Sequence, residues 1–156
     1  MNKDPSTTSI GLTILLAVVL VCVTMPSGCG GNAAGSGEQD QLRAAMKLLG
    51  LEYGKFLVEH NAPPEDEAAL RAYLESRMSD LSAYGVKSVD DLLRSGRDGQ
   101  PLQIIYGKSI AAPDRPDIPW AAYEQTGVDG TRLAVHSRGG VQEIGAADFS
   151  QQIPVK

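Results

Sequence analysis

The chain has 156 residues, 42% of them hydrophobic and 21% charged, with a net charge of −5. That length suits one modest domain, and the acidic balance argues against the phosphate-neutralising Lys/Arg surface that nucleic-acid binding requires. One Trp, five Tyr and two Phe make the expected core mainly aliphatic, and the bases are interspersed among the acids with no cluster.

The first nine residues are short and polar, carrying only Lys3 and Asp4 as charges. Residues 10–25 follow without a charge and end at Pro26-Ser27-Gly28. A membrane-spanning helix needs about 20 apolar residues, so this run is short for a span. A polar start, a short apolar centre and small residues before a break have the layout of an export signal. Ser27 and Gly28 directly precede Cys29 and resemble the bacterial lipobox, in which a peptidase cuts before a lipid-modified cysteine. The resemblance implies a signal peptide over 1–28, cleavage at Ser27 and Gly28, and lipidation of Cys29 with palmitate-type acyl chains. Pro26 departs from the Leu that the motif favours. Cys22 fits less well, because it lies inside the apolar run after the larger Val21. An ordinary secretory signal and an uncleaved anchor are the alternatives. Cleavage removes Lys3 and Asp4 together, leaving the net charge at −5. Gly30, rather than Asp, after the cysteine resembles the sorting signal for release to the outer membrane, implying a lipid-anchored protein facing the periplasm.

Residues 29–38 are rich in glycine and small polar side chains and read as a flexible tether. A folded α+β domain is expected over 39–150, with a tail over 151–156. Leu42, Met46, Leu49, Tyr53, Phe56 and His60 recur at helical spacing and predict a long helix over 39–60 with one buried face. Gly50 and Gly54 sit one turn apart on it, offering a patch that another element can approach closely. Asn61 and Pro63-Pro64 end the helix. Glu65-Asp66-Glu67 then opens a second helix with acids at its positive end, and Ala69, Leu70, Tyr73 and Leu74 form its buried edge. Three consecutive acids point to different sides of a helix, so they are not a metal set. Ser88 to Asp91 resembles a capping box for a short helix through Leu92 and Leu93.

From Gly96 the pattern changes to strands and turns. Strands are expected over 102–106, 118–123, 132–137 and 141–144, with 111–117 a loop. Val128-Asp129-Gly130-Thr131 and Arg138-Gly139-Gly140 are the turns of an antiparallel meander. A turn of helix at 146–149 closes the domain, with Phe149 as its plug. The fold class is therefore a long N-terminal helix plus short helices packed on a small antiparallel sheet.

This order resembles the globular domain of type IV pilins and pseudopilins. Locally, 53–74, 97–107 and 128–149 look like small lipoproteins and pilin-like proteins of planctomycete-type bacteria. The resemblance implies fold and lineage and carries no activity. A pilus shaft would need a continuous apolar helix; Leu16 stands where a prepilin glutamate belongs, and Pro26 and the glycines interrupt the run.

Chemistry is sparse. His60 at a helix end reads as a cap, and His136 as a half-exposed strand residue on the face opposite Leu133 and Val135. No nucleophile elbow, phosphate loop or converging ligand set is present, so no catalytic residue, metal or cofactor is assigned. Trp120 and Tyr123 form a candidate interaction surface, since such aromatics anchor binding sites when exposed and join the core when not. The expected function is a non-catalytic interaction or structural module of the cell envelope. It would be held on the membrane by lipid and have an envelope protein as partner. A pseudopilin-like secretion component is the alternative, and a periplasmic hydrolase the third.

Overall fold

A computed structural model of the chain describes residues 33–154. The chain divides into two units, Met1–Ala33 and Ala34–Lys156, and the architecture given below is that of the second. The expected signal, Ser27, Gly28 and Cys29 lie outside the described residues.

Helix α1 runs from Ala33 to His60. Residues 33–38, expected in the tether, form its first turns. Ala33, Ala34 and Glu38 are good helix formers, and a helix already docked along its length extends by one hydrogen bond per added residue. Met46, Leu49, Tyr53 and Phe56 of the expected stripe are buried, while His60 is exposed. Asn61 takes a left-handed conformation (φ 53°), which ends the helix before the prolines. Helix α2 (Glu67–Ser76) opens on Asp66, whose carboxylate accepts the Ala69 N–H at 2.9 Å. Helix α3 (Met78–Ser82), which no sequence pattern announced, follows through Arg77 and closes at Gly85 (φ 85°). Helix α4 (Val89–Leu92) is capped by Ser88 Oγ, which accepts the Asp91 N–H at 3.1 Å.

The sheet is antiparallel and five-stranded. Strand β1 (Gln103–Ile104) and β2 (Ala111–Ala112) both pair with β3 (Arg115–Tyr123), which pairs with β4 (Thr131–His136), which pairs with β5 (Val141–Gly145). Part of the expected 111–117 loop is therefore strand: Ala111 pairs with Pro119 and Ala112 with Arg115 across a register shift. Pro116 and Pro119 have no N–H to give to a ladder, so local pattern argues against a strand, yet both are accommodated on β3 where its partner β2 is short and the register irregular. The Asp129-Gly130 turn has both residues at positive φ, 51° and 74°, the geometry that suits the twist of a tight hairpin.

Two cores flank the sheet. Helices α1 to α4 cover one face, packing Leu49, Tyr53, Leu70, Leu74 and Leu81 against Ala121, Leu133 and Val135. The other face carries Trp120, Tyr123, Ala134 and Ile144, covered by Phe149 and Ile153 of the C-terminal segment. Helix α5 (Ala146–Gln152) is longer than the single turn expected, and Ile153 is fully buried, so 151–153 belong to the domain and not to a tail.

Gly50 and Gly54 explain how α1 docks. A Cβ on Gly50 would stand 2.6 Å from His136 O, and one on Gly54 would run into Ser137 O. The helix backbone thus lies directly on the end of β4, as the paired glycines predicted. Behind this contact, Tyr53 donates from its hydroxyl to Ile105 O at 2.7 Å, and burial drives its ionisation well above the ordinary tyrosine range.

A buried polar cluster ties the 95–100 turn to the β3–β4 hairpin. Glu124 is 0% exposed and accepts from Ser95 Oγ at 2.9 Å and from Leu133 N–H at 2.8 Å. Arg97 Nε stands 3.6 Å from Glu124, and the guanidinium also donates to Glu143, Val128 O and Thr131 O. Burial pushes the Asp98 carboxyl up. The N–H groups of Gln100, Gly127 and Thr126, with Ser95, outweigh this and hold it below its ordinary value.

Candidate functional site

Trp120 and Tyr123 are not a surface. Trp120 is 0% exposed and donates its indole N–H to Gln152 O at 3.2 Å, while Tyr123 packs edge-on against Phe149 at 5.1 Å. The physical reason is the second core: the C-terminal segment covers the face on which these aromatics stand. His136 does lie opposite Leu133 and Val135, as expected, but it is buried beside Trp120, with ring centroids 6.0 Å apart. Burial, aided by Arg115 and Arg138, lowers its pKa, and its Nδ1 has no hydrogen-bond partner. No acid or nucleophile hydrogen-bonds to it among the described residues, and the ring packs beside Trp120. His60 Nδ1 lies 3.1 Å from Phe56 O at the end of α1, consistent with a capping role.

A concave feature of the domain lies elsewhere. A cleft of about 550 Å³ runs between the outer side of α1 and the segment joining α3 to α4. Its α1 wall is built from Gln41, Ala44, Ala45, Lys47, Leu48 and Leu51. The facing wall comes from Tyr84, Gly85, Val86 and Lys87, with Asp91 and Leu92 from α4. That wall stands because Gly85 turns the chain at positive φ, letting Val86 N–H reach back to Leu81 O at 3.3 Å. Val86 and Leu48 then rest partly buried against the helical core, fixing the floor.

The helical period places Ala44, Leu48, Leu51, Lys55 and Val58 in one line, on the side of α1 away from Leu49 and Tyr53. Leu51 is 39% exposed and Val58 79% exposed, and Tyr84 is exposed across the cleft. Lys55 is secured within the line by Glu52, 2.5 Å away, whose buried carboxylate also lies 3.6 Å from Arg77. Lys47 and Lys87 stand on opposite walls, and neither takes part in an ion pair among the described residues.

The cleft contains no histidine or thiol, and no group of three or more metal-ligating side chains occurs among the described residues. Apolar walls with a few charges at their edges suit the binding of another apolar surface. Sequence reading assigned Lys47 and Lys55 to the polar side of α1 and missed the apolar residues that align with Lys55 there. The signal was the recurrence of Ala44, Leu48, Leu51 and Val58, a second stripe on a helix whose first stripe accounts for its burial. Among the described residues no helix is long and apolar enough to cross a membrane.

No protein-family model, curated protein or solved structure matches this chain.

Proposed function

We propose that the protein is a lipid-anchored module of the bacterial cell envelope that works by binding and not by catalysis. The observation that carries this reading is Ser27-Gly28-Cys29 placed directly after the uncharged run over 10–25. A thiol preceded by small residues at the end of an export signal is the chemistry that a thioether-linked diacylglycerol needs. Two or more acyl chains hold a protein stably on a bilayer, because each buried methylene contributes about 0.8 kcal/mol. The anchored domain is proposed to face the periplasm from the outer membrane, on the strength of Gly30. Its partner is an envelope protein, and the cleft beside α1 is the contact face. The long helix seated on an antiparallel sheet supports a pilin-like ancestry for the domain, used here for binding and without a shaft.

Labelled palmitate fed to cells is expected to enter the wild-type chain and the Cys22→Ser variant equally. The Cys29→Ser variant takes up none and keeps the 1–28 segment, read as a heavier band on a gel. Label retained by Cys29→Ser, or absent from wild type, contradicts the anchor.

A further inference from the structure

We infer that the cleft and the apolar line on α1 receive an acidic amphipathic helix of a partner protein. This rests on the reading of the protein as an interaction module and names the chemistry of its partner. Two observations select that occupant. The first is shape. The line from Ala44 to Val58, apolar except for Lys55, is about 21 Å long at ~1.5 Å per residue, so it continues past the cleft, whose α1 wall ends at Leu51. A compact small molecule fills the cleft and leaves Val58 bare, whereas a helix of four turns lying alongside α1 covers the whole line. Apolar side chains at helical spacing on the partner would seat over Leu48, Leu51 and Val58, with Tyr84 closing over them from the other wall.

The second is charge. Lys47 on α1 and Lys87 on the facing wall bracket the cleft, with Asp91 as its acid. Cations on both walls favour a partner with acids along both edges of its apolar face. The chain as a whole carries −5, but at physiological salt the screening length is about 8 Å, so charges within the cleft outweigh the distant ones.

The test uses the full lipidated chain in detergent micelles and three fluorescently labelled 16-residue peptides. One has leucines at helical spacing with glutamates at its edges, one replaces the glutamates with lysines, and one scrambles the first. Anisotropy is expected to show saturable binding of the Leu/Glu peptide, about tenfold tighter than the Leu/Lys peptide, and none of the scrambled one. In the Lys47→Glu, Lys87→Glu double variant the preference reverses, and Leu51→Glu weakens the Leu/Glu peptide by at least about tenfold. Emission from buried Trp120 reports that each variant is folded. Equal binding of the Leu/Glu and Leu/Lys peptides, or binding of neither, overturns the inference. So does a concentration-dependent dimer dispersed by Leu51→Glu, because the occupant is then a second copy of the chain. The palmitate result stands apart from all of these, so an acylated protein that ignores the peptides refutes the partner and leaves the anchored module intact.

Discussion

Gly54→Ala is expected to destabilise the domain by about 3 kcal/mol or more, although alanine is the better helix former. At an open helical site the same change would stabilise by ~1 kcal/mol. The sign reverses here because the added methyl group would occupy the space of Ser137 O. Neither side can step aside: one is the helix backbone and the other is the turn between β4 and β5. That turn is pinned by Ser137 N–H to Pro119 O at 2.9 Å and by Gly139 N–H to His136 O at 2.8 Å. Gly50→Ala meets His136 O and the Val135 methyl, each at 2.6 Å, and loses less because the approach to backbone is longer than at Gly54. Val58→Ala, on the exposed line, stays within ~0.5 kcal/mol of wild type. Urea denaturation of the three variants measures the set. Gly54→Ala as stable as wild type would mean that α1 does not lie on the end of β4.

The second large effect is at Glu124. Removing its carboxylate in Glu124→Ala leaves Leu133 N–H unpaired in the middle of the sheet and Arg97 without its buried counter-charge. A buried pair broken from one side costs about 3–5 kcal/mol, because the remaining charge stays desolvated. Glu124→Gln keeps the shape and one acceptor oxygen, and is expected to lose about 1–3 kcal/mol. Arg97 also touches Glu143, whose carboxyl is held below its ordinary range, chiefly by the Thr131 hydroxyl and then by Arg97 against the opposing effect of burial. The 95–100 turn should therefore loosen in Glu124→Ala, seen as faster hydrogen exchange at Gly127 and Leu133. A loss below ~1 kcal/mol would contradict the buried cluster.

Much of the fold was legible because its signals are local. The core stripe of α1, the acids that open α2, the Ser88 cap and the Asp129-Gly130 turn each depend on residues within a few positions of one another. The paired glycines went further, since a bare patch on a helix implies a close neighbour, and β4 supplied it. What escaped detection depends on distant contacts. β4 is buried on both faces from Leu133 to His136, but its second face carries only the small Ala134 and the polar ring of His136, so the second core left little apolar signal there. Trp120 therefore read as a possible surface anchor, and Ile153 as part of a tail. The β2 pairing escaped because prolines at 116 and 119 disguise an irregular edge. The cleft escaped because one wall comes from residues 84–87, which carry no periodic signal and are placed by Gly85 and by Val86 packing on the core. The apolar line on α1 was present in the sequence, but only the fold shows that Leu51 and Val58 remain exposed.

The central claim is the anchor, and the most direct test is the mass of the mature N-terminus of the protein purified from its native membranes. A chain that begins at Cys29 and carries a diacylglyceryl group is the predicted result, and it places the cleft beside a membrane where its partner must be sought. An intact chain, or one beginning at Leu12, would contradict the lipid anchor and make the uncharged run over 10–25 part of the working protein.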